Sequence, residues 1–150
     1  MSAITTWIVA VSQAAAATVS PPAAQPPEAV APGVVLLRGA ILPQRGPDGN
    51  TVVFDAPGGL VVVDTGRHDW HSDAILKLAR ERKRPVAGIL NTHWHLDHSS
   101  GNDRIKAAFP DAPVYATNAV DRALAEGGFL ARNLEASKGM LVPSESRSTR

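Results

Sequence analysis

The chain has 150 residues, 44% of them hydrophobic and 19% charged, which suits one globular domain and excludes a collagen, a coiled coil or a wholly disordered chain. With 15 Lys and Arg against 14 Asp and Glu the formal net charge is +1, too weak a field to mark nucleic acid or an anionic membrane as a partner. There is no cysteine, so disulfides and thiolate metal sites are excluded and histidine and carboxylate remain as the strong ligands.

Residues 1–32 read as a signal-like apolar leader followed by a Pro/Ala-rich linker. The stretch 4–17 is mostly apolar and ends in alanines, as a secretory signal does, and would place the protein in the periplasm or outside the cell. The positively charged start of such a signal is missing, since the first Lys or Arg is Arg38; a cytoplasmic protein with an uncleaved leader is the other reading. A membrane-spanning helix needs about 20 apolar residues, and this run is shorter and broken by Ser12 and Gln13, so no stable membrane span is expected. The folded domain is expected to begin near Gly33 and to occupy 33–142, with a polar tail at 143–150.

Short strands are predicted at 34–38, 51–55 and 59–64, each rich in β-branched residues. The segments GPDGN (46–50) and APGG (56–59) between them carry turn chemistry, which predicts antiparallel hairpins. The unbroken apolar run 60–63 predicts burial on both faces and a rigidly held Asp64 at the strand end. His68 and His71 read as solvated or hydrogen-bonded loop residues rather than ligands. Ser72 is the predicted cap of a helix whose Ile75, Leu78 and Ala79 share one face, and whose basic end, 80–84, stops at Pro85. Those basic residues read as a solvated helix end rather than a nucleic-acid patch. A strand at 86–90 follows, and strand, helix, strand implies a right-handed crossover that brings Asp64 and His93 to one sheet edge. Further on, a helix is predicted at 102–109, a strand at 113–116, and helices at 117–126 and 129–138.

The densest chemistry lies in NTHWHLDHSSGN, residues 91–102, with three of the five histidines. In an extended segment His93, His95 and Asp97 would project from one side, with Trp94 and Leu96 turned to the core and His98 next in line. Imidazole and carboxylate suit zinc and similar divalent ions. A polar loop of hydrogen-bonded histidines is the alternative.

The pattern H-x-H-x-D-H, with the upstream GLVVVDTG, resembles the metallo-β-lactamase superfamily of metal-dependent hydrolases over about residues 34–125. The resemblance implies an α/β fold with a mixed α+β sheet, the first half of the αβ/βα sandwich, with helices on one face and an apolar second face. It implies one or two Zn2+ ions, or another divalent transition metal, with His93 and His95 at the first and Asp97 and His98 at the second. Asp97 would be the catalytic residue that accepts or relays a proton, and Asp64 the carboxylate supporting the loop. The implied enzyme is a zinc-dependent hydrolase in which metal-bound hydroxide attacks an ester, thioester, lactone or lactam carbonyl of a small-molecule substrate. No histidine follows His98, so the family's later ligands are missing. The expectation is therefore the N-terminal half of an enzyme, weakly active or inactive by itself, with a C-terminal half as its partner. A non-catalytic divalent-metal-binding protein and a structural domain are the alternatives.

Overall fold

The computed structural model describes residues 25–43, 45–119, 122, 125 and 147–148. Residues 1–24, with the signal-like stretch, lie outside them, as do half of the expected helix at 117–126 and all of that at 129–138. Among the described residues no helix is long and apolar enough to cross a membrane.

The strands are β1 (Glu28–Ala31), β2 (Val34–Leu37), β3 (Ile41–Leu42), β4 (Gly46–Pro47), β5 (Thr51–Ala56), β6 (Gly59–Val63), β7 (Val86–Leu90), β8 (Val114–Tyr115) and β9 (Arg147–Ser148). The helices are α1 (Asp69–Arg82), the single turn α2 (Leu96–Ser99) and α3 (Asn102–Ala108). The main sheet runs β1-β2-β5-β6-β7-β8-β9. Its first four strands are antiparallel, and from β6 onward the pairings are parallel. This is the expected mixed sheet. The change of direction falls where α1 crosses from β6 to β7, so both strands end at the same edge.

Alternation explains the two faces. Val35, Val53, Val62, Ile89 and Val114 stand in register across the sheet and are buried under Ile75, Leu78 and Ala79 of α1 and Ile105 of α3. The opposite positions carry Val34, Leu36, Val52, Phe54, Val61, Val63, Leu90 and Tyr115, all apolar and only partly covered; Phe54, Leu90 and Tyr115 are 41–43% exposed. The expected burial of 60–63 on both faces is thus corrected: Leu60 and Val62 are fully buried, while Val61 and Val63 line the half-open face.

Four local expectations change. The chain joins the sheet at Glu28 rather than near Gly33, because EAVA pairs antiparallel with β2 and Arg38 donates to Glu28 from Nε and Nη2, at 3.0 and 2.7 Å. The segment 39–50 is no tight hairpin. It forms the separate β3-β4 pair and then turns Asp48 inward, where its carboxylate accepts the backbone N–H groups of Arg67 and His68. Those contacts start α1 early: His68 is the residue at its N-cap, and Ser72 is buried within the helix, its hydroxyl donating to the Asp69 carbonyl at 3.2 Å. The helix ends at Lys83 in the left-handed region, and Arg82 and Arg84 turn back to Asp55, at 2.6 and 3.7 Å. Arg147 and Ser148, in the stretch read as a patternless tail, form β9.

Candidate metal centre

Asp64 follows the end of β6 and Asn91 the end of β7, and the two parallel strands bring these ends side by side. The Asp64 N–H donates to the Leu90 carbonyl at 2.9 Å and the Thr65 N–H to the His98 carbonyl at 2.8 Å. Asp64 itself is 4% exposed and has φ 59, a left-handed conformation that costs a non-glycine residue on the order of 1 kcal/mol. The neighbours that hold it there include Thr51, whose hydroxyl donates to the Asp64 carbonyl at 2.9 Å. Gly66, with φ 72, then turns the chain away; a Cβ there would stand 2.7 Å from the His71 ring.

The Asp64 carboxylate faces the 91–102 loop. One oxygen accepts the Thr92 N–H at 2.8 Å, and the other accepts the Thr92 hydroxyl and His98 Nδ1, both at 2.7 Å. A carboxylate only accepts, so His98 carries a proton on Nδ1 and turns its Nε2 toward Asp97. That Nε2 lies 3.3 Å from Asp97 Oδ2. The Thr92 proton is committed to Asp64, so His93 Nδ1, 3.1 Å from the same hydroxyl, is the donor of that pair and His93 also presents Nε2.

The three imidazoles cluster, with ring centroids 4.5 Å apart for His93 and His95 and 4.1 Å for His93 and His98. Burial, then the adjacent His98 and His95, hold the His93 pKa below its ordinary value, which favours the neutral ring that a metal requires. The expected extended alternation holds only as far as His95. From Leu96 the chain turns helical, and this carries His98 round to Asp64, while Trp94 and Leu96 are half-exposed rather than in the core.

The donor chemistry suits a divalent metal: three clustered imidazoles, a neighbouring carboxylate, and a buried carboxylate behind them. The donors come as close pairs. Among the described residues no group of three or more His, Asp or Glu side chains is disposed to hold a metal ion.

Several residues that frame the loop escaped sequence reasoning. Asn91 and Asn102, its two ends, bond to each other (Nδ2 of Asn102 to Oδ1 of Asn91, 2.7 Å), and the Thr65 hydroxyl donates to Asn102 Oδ1 at 2.8 Å. Their places at the two ends of the histidine stretch were the one available signal. His68 and His71 are not solvated but buried beside Asp48, with Nδ1 atoms 3.6 and 3.7 Å from its oxygens. His71 Nε2 meets the Thr51 hydroxyl at 2.8 Å, so His71 supports Asp64 through one intermediary.

A carboxylate and a histidine loop at the ends of adjacent parallel strands are matched by the family model described as Metallo-beta-lactamase superfamily over residues 45–146, and the chain belongs to that superfamily. Over 62 residues it is 42% identical to a hydroxyacylglutathione hydrolase of Bdellovibrio bacteriovorus, covering 41% of this chain and 23% of that protein. Over 64 residues it is 33% identical to an atrochrysone carboxyl ACP thioesterase of Aspergillus fumigatus, covering 41% of this chain and 20% of the relative. A metallo-beta-lactamase from Pontibacter korlensis shares the fold with a TM-score of 0.56 at 20% identity, covering 79% of this chain and 50% of that structure. The matches therefore span about a fifth of these curated relatives and half of that solved structure.

Proposed function

We propose that the chain supplies the first metal-binding motif of a zinc-dependent hydrolase that cleaves an acyl carbonyl bond, with thioesters the favoured class. The observation that carries this reading is the Asp64 carboxylate bonded at once to Thr92 and to His98 Nδ1, with His93 and His95 beside it. The thioester preference rests on the two curated relatives, one named a thioesterase and the other a hydrolase of an acyl group carried on glutathione.

In this reading His93 and His95 hold one ion, and Asp97 and His98 a second. When bound, the ion supplies Lewis-acid activation of water and of the substrate carbonyl. The chain does the rest. Asp64 keeps the His98 proton on Nδ1, Thr92 orients both Asp64 and His93, and Asp97, half-buried 3.3 Å from His98 Nε2, receives and returns a proton at Oδ2. With only paired donors, the isolated chain should bind zinc weakly and turn over slowly.

The test is to load the full chain with zinc and assay thioester, ester, lactone and β-lactam substrates. Slow hydrolysis that His95→Ala and a chelator both abolish supports the reading. Hydrolysis indifferent to both overturns it, and stoichiometric zinc uptake with no hydrolysis favours a metal-binding protein without turnover.

A further inference from the structure

A second polar feature lies where the β3-β4 pair meets the start of α1. A cavity of about 650 Å3 there is lined by Arg45, Gly46, Arg67, His68 and Asp69. Four other arginines find carboxylates: Arg38 with Glu28, Arg82 and Arg84 with Asp55, Arg104 with Asp73. Arg45 and Arg67, by contrast, form no ion pair among the described residues, although Asp69 shares their cavity. The nearest other carboxylate, Asp48, is fully buried beneath them, with its oxygens accepting the Arg67 and His68 backbone N–H groups.

The exposed Arg67 side chain lies against Gly46, which has φ 81: a Cβ built on it would stand 2.6 Å from Arg67 Nη1. His68 forms the inner wall; its side chain is 5% exposed and its Nε2 is buried without a hydrogen-bond partner. As the N-cap residue of the 14-residue α1, without a side-chain cap of its own, it also marks a helix end with partial positive charge. Two guanidinium forks and a helix N-terminus around one open cavity are the chemistry of oxyanion recognition.

We propose that this cavity is an oxyanion-binding subsite that takes a phosphate or carboxylate arm of the acyl substrate. The proposal rests on the hydrolase reading for its purpose. The site itself is three residues downstream of Asp64, and the strip between them and the loop is short: the Gly49 N–H, next to Asp48, donates to the Asp97 carbonyl at 2.8 Å. A substrate with its carbonyl at the histidine loop would reach the cavity with an anionic arm along that strip. Asp69 offsets part of the positive charge, which suits a reversible contact.

The experiment uses the metal-free full chain, titrated with inorganic phosphate and with acetate while amide chemical shifts are followed. Saturable shifts at Gly46, Arg67, His68 and Asp69 are expected, weakened by about tenfold in Arg67→Gln and again in Arg45→Gln, and strengthened in Asp69→Asn. The relative response to the two anions separates a phosphate arm from a carboxylate arm. Shifts confined to residues 91–102, or binding unchanged in the double arginine variant, would overturn the subsite. His95→Ala, which removes zinc binding in the hydrolase reading, should leave phosphate binding intact, so the two readings can fail separately.

Discussion

Asp64 joins the fold to the chemistry: its backbone is held by Leu90 and Thr51 and its carboxylate by Thr92 and His98. Asparagine tolerates the left-handed backbone and keeps one acceptor, but it loses the charge and can no longer command the His98 Nδ1 proton. Asp64→Asn should therefore fold yet bind zinc about 10–100-fold more weakly, as loss of a carboxylate behind a histidine ligand does. Calorimetric titration measures this. Equal affinity in the variant would show that Asp64 only shapes the turn.

His71 makes a pH prediction at the same scale. Burial holds its pKa below the ordinary 6.5, against the pull of Asp48, and burial lowers that of His68 as well. Above about pH 6.5 the rings are neutral in both folded and unfolded chains and cost nothing. As pH falls below that value the unfolded chain takes up protons that the folded one resists, so stability must drop. Urea midpoints at pH 7.5 and 5.5 should show this loss, and His71→Gln, which retains an N–H for Thr51, should reduce it. A midpoint that is flat across that range would contradict the assignment of neutral, buried histidines.

Among the elements, α1 and the strands flanking it set the distance between the two motifs. Ile75 is 1% exposed and packs into the core between sheet and helix. Ile75→Ala should cost about 2–5 kcal/mol, seen as a lowered urea midpoint with unchanged slope. The order of these elements was legible in the sequence because each carries an unambiguous period: apolar runs for β6 and β7, spacing of three and four for α1. The DTG and H-x-H-x-D-H stretches were likewise legible as the site. What stayed hidden depended on contacts distant in sequence. Asp48 sits in GPDGN, which reads as a turn, and only the folded chain shows it accepting two amides at the start of α1. Ser72 looked like a cap because that substitution of one acceptor for another cannot be seen locally. His98 followed the same rule: spacing put it after an extended run, and the α2 turn delivers it to Asp64.

For the molecule as a whole, the described helices cover one face of the sheet, and among the described residues the other is an apolar surface from Val34 to Tyr115. The partly exposed side chains of Phe54, Leu90 and Tyr115 make it sticky. The chain should bind an apolar fluorescent dye while its near-ultraviolet signal shows native packing, and the double variant Phe54→Ser, Leu90→Ser should lower that binding. Dye binding unaffected by the two substitutions would place the exposed apolar surface elsewhere.

The central claim is that Asp64 and Thr92 preset the histidines of the 91–102 loop to offer Nε2 to a divalent ion. The most direct measurement is the nitrogen spectrum of the histidine rings during zinc titration of the full chain. His93 and His98 should show Nδ1 protonated before zinc is added, and zinc should then shift their Nε2 resonances together with those of His95, leaving His68 and His71 in place. Protonated Nε2 atoms on His93 and His98, or zinc shifts centred on His68 and His71, would contradict it.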